Sequence, residues 1–140
     1  MTRINAGIPV EVLSDQHFLA EHREIKRLPN TTFKSKPTEK FTLGCGHVLF
    51  FSNKPVFTFR RYVSLFIECN KRKFNVEDYS DNWIFDIGEY DSEYTPSQED
   101  TNIVVDRIVE RVQHSNQMPR YYGNPMSKEE YIDRLLKLKK

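Results

Sequence analysis

Apolar residues recur along most of this chain at a helical period rather than a strand period. Phe18, Ile25 and Leu28 fall at near-helical spacing, with His22 between them. Ser14 stands where an N-cap belongs and Pro29 stops the run, so a first helix is predicted over about Ser14 to Leu28. A second, from about Pro55 to Lys73, carries Phe59, Tyr62, Val63, Phe66 and Cys69 as its apolar face, with Pro55 in the first turn. A third begins after Ser97, where Asp100 completes a capping pair, and buries Val105, Ile108 and Val112. A short fourth is signalled by Ser127 through Glu130, followed by Tyr131, Leu135 and Leu138. Between these, Pro29 to Lys40 reads as a loop rich in proline, threonine and lysine, and 44–47 as a turn before the apolar run Val48 to Phe51. Asn75 to Pro96 is acidic and aromatic with no clean period, and Trp83 and Phe85 are its expected core contributors. The fold class is therefore all-α: three main helices, long loops and an extra short C-terminal helix.

Composition narrows the class without naming a function. The 140 residues suit one domain with one core, and 38% hydrophobic against 29% charged residues describes a globular chain. The longest apolar run has four residues, Val48 to Phe51, far short of a membrane span. The first residues lack the layout of a secretion signal, so a cytoplasmic location is expected. Cys45 and Cys69 are far apart and form no metal or redox pair; both are expected as reduced, buried thiols. His17, His22, His47 and His114 have no metal-ligand spacing with them, and no metal or cofactor is expected. A net charge of +1, from 21 basic and 20 acidic residues, leaves nucleic-acid binding to the distribution of charge.

Several residues could carry chemistry. On the first helix His17, Ala20, Glu24 and Arg27 share one side, flanked by Gln16 and Arg23. That side is either a solvated charged face or a carboxylate held among cations. Arg107 and Arg111 stack four apart on the third helix, again as a solvated face or as a phosphate grip. Arg120, Tyr121 and Tyr122, ahead of Gly123, offer a cation beside two rings able to stack on bases, or simply to pack. Thr2 is small enough to permit removal of Met1, and an α-amine with a pKa of about 7.7–8.0 is a far better nucleophile near neutrality than lysine at about 10.4. Phosphate-loop, dinucleotide, zinc-protease and serine-hydrolase motifs are absent from the sequence.

Taken in order, Thr2-Arg3-Ile4-Asn5, Asp15-Gln16-His17 and Ala20-Glu21-His22-Arg23-Glu24 are familiar. So are Leu43-Gly44-Cys45-Gly46-His47, Phe50-Phe51, Glu68 to Arg72, Phe74-Asn75, Tyr94-Thr95-Pro96, Arg107, Arg111 and Tyr121-Tyr122-Gly123. Together they resemble the pyrimidine-dimer DNA glycosylase/AP lyase family. The resemblance implies a single-domain bundle of three main helices that works on duplex DNA as a monomer. It implies that the Thr2 amine attacks the anomeric carbon of a dimer's 5′ nucleotide, and that Glu24 supports imine formation and the β-elimination that cuts the strand. Arg3, Gln16, His17, Arg23, Arg27, Arg107 and Arg111 match positions that grip phosphates or line the site. This sequence departs from the pattern after Arg27, where a basic stretch is shortened, and at Met118 and Pro119, where relatives carry aromatic residues. Residues 124–140 extend past the usual end. The same chemistry on other lesions or abasic sites, or a non-catalytic protein that binds DNA or a partner, are the alternative expectations.

Overall fold

The start signals written into the chain are used almost where they stand, while the first helix ends at Ile25 and its expected stop, Pro29, lies outside the described residues. The structure, a computed structural model, describes residues 4–28, 40–43, 47–51, 54–83 and 94–139. In chain order the helices are α1 (Asp15–Ile25), α2 (His47–Phe51), α3 (Pro55–Lys71), α4 (Gln98–His114) and α5 (Lys128–Leu136). Short 3-10 turns occur at Val10–Val12 and Ser80–Asn82. The one ladder among the described residues is antiparallel, β1 (Arg120–Tyr121) with β2 (Asn124–Pro125). The class is mainly all-α, as the periodicity predicts. Tertiary contacts divide the chain into two compact units, Met1–Ile4 with Ala20–Thr95 and Asn5–Leu19 with Pro96–Lys140.

In the first unit α3 is the longest element. Pro55 occupies its first turn, where no amide hydrogen is needed. The helix ends in a Schellman motif: Lys73 turns left-handed at φ 65°, Lys73 N–H donates to Asn70 O at 3.2 Å and Phe74 N–H to Cys69 O at 2.9 Å. The inward side is Thr58, Tyr62, Leu65, Glu68 and Cys69. The expected stripe through Phe59, Val63 and Phe66 is thus rotated, and Val63 is 36% exposed. Polar residues turned inward account for the difference. Thr58 Oγ1 accepts from Trp83 Nε1 at 3.2 Å, Tyr62 Oη accepts from Tyr79 N–H at 2.7 Å, and Glu68 pairs with buried Arg72 at 2.8 Å. Trp83 and Cys69 are buried as expected, and burial pushes the Cys69 thiol up to about 11. Phe85 and Cys45 lie outside the described residues. The apolar run before residue 52 forms the short α2, whose Phe50 and Phe51 pack edge to face with ring centroids 5.1 Å apart.

The second unit is built around α4 and α5, which pack together. Ser97 accepts from Asp100 N–H while Asp100 accepts from Ser97 N–H, the expected capping box. Ser127 caps α5 by accepting from Glu130 N–H at 3.1 Å. Val104, Val105, Ile108 and Val112 of α4 and Tyr131 and Leu135 of α5 fill the interior with Phe18 and Leu13. Gly7 passes so close to α4 that a Cβ there would sit 2.1 Å from Thr101 Oγ1, and its φ of +82° also demands glycine.

Candidate functional site

The part of α1 in the first unit carries Glu24, Arg23 and Arg27. Arg23 is exposed. Arg27 Nη1 lies 3.0 Å from Glu24 Oε2, an ion pair one helical turn apart, with the arginine side chain 60% exposed. This buried carboxylate oxygen receives no hydrogen bond from any described residue. An unsatisfied buried acceptor is costly, and such atoms concentrate where a ligand or reacting group completes them. Two residues earlier, His22 stacks on Tyr62 with ring centroids 5.8 Å apart, and its buried Nε2 likewise has no hydrogen-bond partner among the described residues. Burial, then the nearby Lys26 charge, lowers His22 to about 4, so the ring is neutral at physiological pH. Beside it, Glu21 is fully buried and held by Arg61 through two bonds of 2.7 and 2.9 Å. That fork–fork geometry makes Glu21 structural.

Thr2 and Arg3, the expected nucleophile and its neighbour, lie outside the described residues. The chain just after them is pinned. Ile4 N–H donates to His47 Nε2 at 2.7 Å, and His47 Nδ1 stands 2.7 Å from Thr42 O. A carbonyl can only accept, so the ring proton is on Nδ1 and the Nε2 lone pair faces Ile4. His47 is fully buried.

In the second unit the hydroxyl of Tyr131 accepts from Ser14 N–H at 3.0 Å and lies 2.8 Å from His17 Nδ1. His17 is lowered to about 4, first by burial and then by the positive charge of Arg111. The ring lines a cavity of about 110 Å³ with Ser14, Gln16, Arg111, Gln117 and Tyr131. Arg111 is exposed at the end of α4. Arg107, one turn back and half-buried, has its pKa pushed down by burial and then by the positive charge of Arg111.

Gln16 is engaged at both ends of its amide. Its Nε2 donates to Met118 O at 2.8 Å and its Oε1 accepts from Arg120 N–H at 3.0 Å. This clamp leads into the β1–β2 hairpin, whose two loop residues are Tyr122 at φ 52° and Gly123 at φ 80°. Two consecutive positive φ values make a type I′ turn. Asp15 secures it, accepting from Tyr122 N–H at 3.1 Å and Gly123 N–H at 2.8 Å. Tyr121 Oη donates to Glu11 O at 2.7 Å, and Arg134 covers the Tyr121 ring at 4.8 Å. Tyr122 stays 39% exposed at the tip, and Arg120 is exposed beside it.

Within the second unit His17 and Arg111 line the same cavity. Tyr121 is tied down by its ring and hydroxyl, whereas the Tyr122 ring lies against it with centroids 4.8 Å apart and is 39% exposed. No sequence pattern assigns a role of its own to Asp15, His47 or Tyr131. His47 and Asp15 stand inside runs that carry the resemblance, which is a signal of sorts; Tyr131 shows only as an apolar position of a short helix. Among the described residues no group of three or more His, Cys, Asp or Glu could hold a metal ion. Comparison with protein-family models matches residues 1–81 to the family described as pyrimidine dimer DNA glycosylase. The match covers more than half the chain and includes Thr2, Glu24 and His47. On that match, the chain belongs to the pyrimidine dimer DNA glycosylase family.

Proposed function

We propose that this protein is a DNA glycosylase with an AP lyase step, acting at pyrimidine dimers in duplex DNA through the α-amine of Thr2 with Glu24 as acid–base partner. Once Met1 is removed, the neutral amine attacks C1′ of the 5′ nucleotide of the dimer. The C1′–N bond breaks, and the base leaves with the electron pair and takes up a proton. The nitrogen then loses a proton, the C1′–O4′ bond opens with protonation of O4′, and an imine links protein and sugar. Glu24 accepts the nitrogen's proton and returns it to O4′. Removal of a C2′ proton expels the 3′ phosphate with its electron pair and cuts the strand. Water hydrolyses the imine and frees Thr2. The exposed Arg23, Arg111 and Arg120 supply phosphate contacts, and Tyr122 a stacking face.

The observation that carries this reading is Glu24 Oε2, buried on a helix without a described hydrogen-bond donor. A carboxylate in that condition suits the transient cation of an imine, whose charge and proton it can take. The pinning of Ile4 by His47 supports it, because an anchored chain two residues from the amine lowers the entropy of attack. Among the described residues no helix is long and apolar enough to cross a membrane. We assign the protein to the cytoplasm as a monomer.

Borohydride trapping on a duplex with one abasic site tests the chemistry. Protein whose intact mass confirms loss of Met1 should give a single covalent adduct. Glu24→Gln should cut trapping and strand scission by about 100-fold or more while holding duplex affinity within about threefold. Absence of an adduct from Met1-free protein overturns the proposal. Irradiated duplex compared with abasic duplex reads the lesion preference in the same assay.

A further inference from the structure

The C-terminal helix α5 lies outside residues 1–81, the part of the chain that carries the family match. Its Tyr131 is fully buried and reaches back 114 residues to His17. We propose that Tyr131 is a positioning residue: its hydroxyl donates to His17 Nδ1 and holds the imidazole with its proton on Nε2, so that the ring offers DNA a neutral hydrogen-bond donor beside Arg111. This rests on the reading that His17 contacts the nucleic acid.

Three observations support the assignment. The Tyr131 oxygen is already fixed by Ser14 N–H at 3.0 Å, so the hydroxyl has a set direction rather than free rotation. At 2.8 Å from Nδ1 it occupies the distance of a good hydrogen bond, whereas Ser14 Oγ, at 3.3 Å, is the weaker candidate. With Nδ1 engaged, Nε2 is the ring's other polar atom, and no described residue accepts from it. That leaves a second ring nitrogen to donate, on a residue lining a cavity of about 110 Å³, room for more than a single water, which Arg111 lines as well. An anionic oxygen entering there would meet a donor and a fixed charge together. A freely tautomerising ring would present a lone pair to that oxygen part of the time, which repels it.

The test combines a spectroscopic readout with a thermodynamic cycle. Long-range 1H–15N spectra of the free protein should show His17 as the Nε2–H tautomer, and Tyr131→Phe should move it to a mixture. Affinity for a duplex carrying one non-cleavable abasic-site analogue should drop about fivefold in Tyr131→Phe, the size expected for one lost hydrogen bond. His17→Ala should drop it at least as much, and adding Tyr131→Phe to His17→Ala should cost nothing further. Circular dichroism melts verify that each variant is folded. Equal losses from Tyr131→Phe with and without His17 mean that the tyrosine acts on the scaffold alone, and overturn the proposal. So does an Nδ1–H ring, or a tautomer indifferent to Tyr131. Full affinity in His17→Ala overturns it differently, by removing His17 from the DNA contact, and leaves the Thr2 and Glu24 chemistry to the trapping assay.

Discussion

At the scale of single residues, buried polar atoms without a hydrogen bond recur on α1. Among the described residues Glu24 Oε2 meets Arg27 only as an ion pair, His22 Nε2 has no hydrogen-bond partner, and the His17 ring bonds through Nδ1. Two of these groups impose a pH dependence. His17 and His22 each titrate at about 4 in the folded protein, against 6.5 when unfolded. Between those values the unfolded chain binds more protons, so stability is complete above about pH 6.5 and is lost as pH falls toward 4. The loss should be on the order of 1–2 kcal/mol per ring, since solvent reaching the partly exposed His17 screens part of it. Urea unfolding at pH 7.5 and pH 5.0 measures the difference, and His22→Phe should flatten it. A profile equally steep in that variant would assign the effect to other groups. The roles of Tyr131 and His47 are not legible at this scale, although His47 stands in a run that carries the resemblance, because a buried hydroxyl or imidazole shows its purpose only through its partner.

At the scale of elements, the helices obey their caps and the hairpin obeys a carboxylate. Tyr122 is a poor residue for a left-handed turn position, and Asp15 offsets the strain with bonds to two successive amides. Tyr122→Asn should therefore raise stability by about 0.5–1 kcal/mol, giving the asparagine-glycine pair that type I′ turns favour. The same change should weaken duplex binding if the Tyr122 ring stacks on a base. A lower melting temperature for this variant would mean that the ring packs more than its 39% exposure indicates. The hairpin was not legible beforehand for the same reason: Tyr-Gly is not a recognised turn pair, and two-residue strands have no period. On α3 Tyr62 and Cys69 are buried as the periodicity predicts, but the stripe is rotated, since Thr58 and Glu68 face inward with polar partners that a hydrophobic count ignores.

For the molecule as a whole, a net charge of +1 gives little long-range attraction to DNA, so binding should depend on local cations. Arg107→Ala and Arg111→Ala should each reduce the slope of log affinity against log salt by about one unit. Titrations between 50 and 200 mM salt would detect this; unaltered slopes would remove both residues from the contact surface. Contacts divide the chain into two units, yet α1 gives residues to each of them, and half of an 11-residue helix is not stable alone. We therefore expect one cooperative transition, with the fluorescence of the single Trp83 and the helical circular dichroism melting together. Separated midpoints would instead assign each unit its own stability.

What the sequence determined by itself is everything whose cause lies within a few residues. Ser97 with Asp100, Ser127 with Glu130, and Pro55 start helices through bonds to their own first turn, and the ordered run from Thr2 to Glu24 to His47 was enough to bring the family into view. Tertiary structure alone decided which side of α3 turns inward, why a tyrosine tolerates a left-handed turn, and what holds the ring of His17. Each of those depends on a partner between 25 and 114 residues away: Trp83 for Thr58, Asp15 for Tyr122 and Tyr131 for His17. No local period or propensity encodes a polar bond of that kind, because it exists only once the chain has closed on itself.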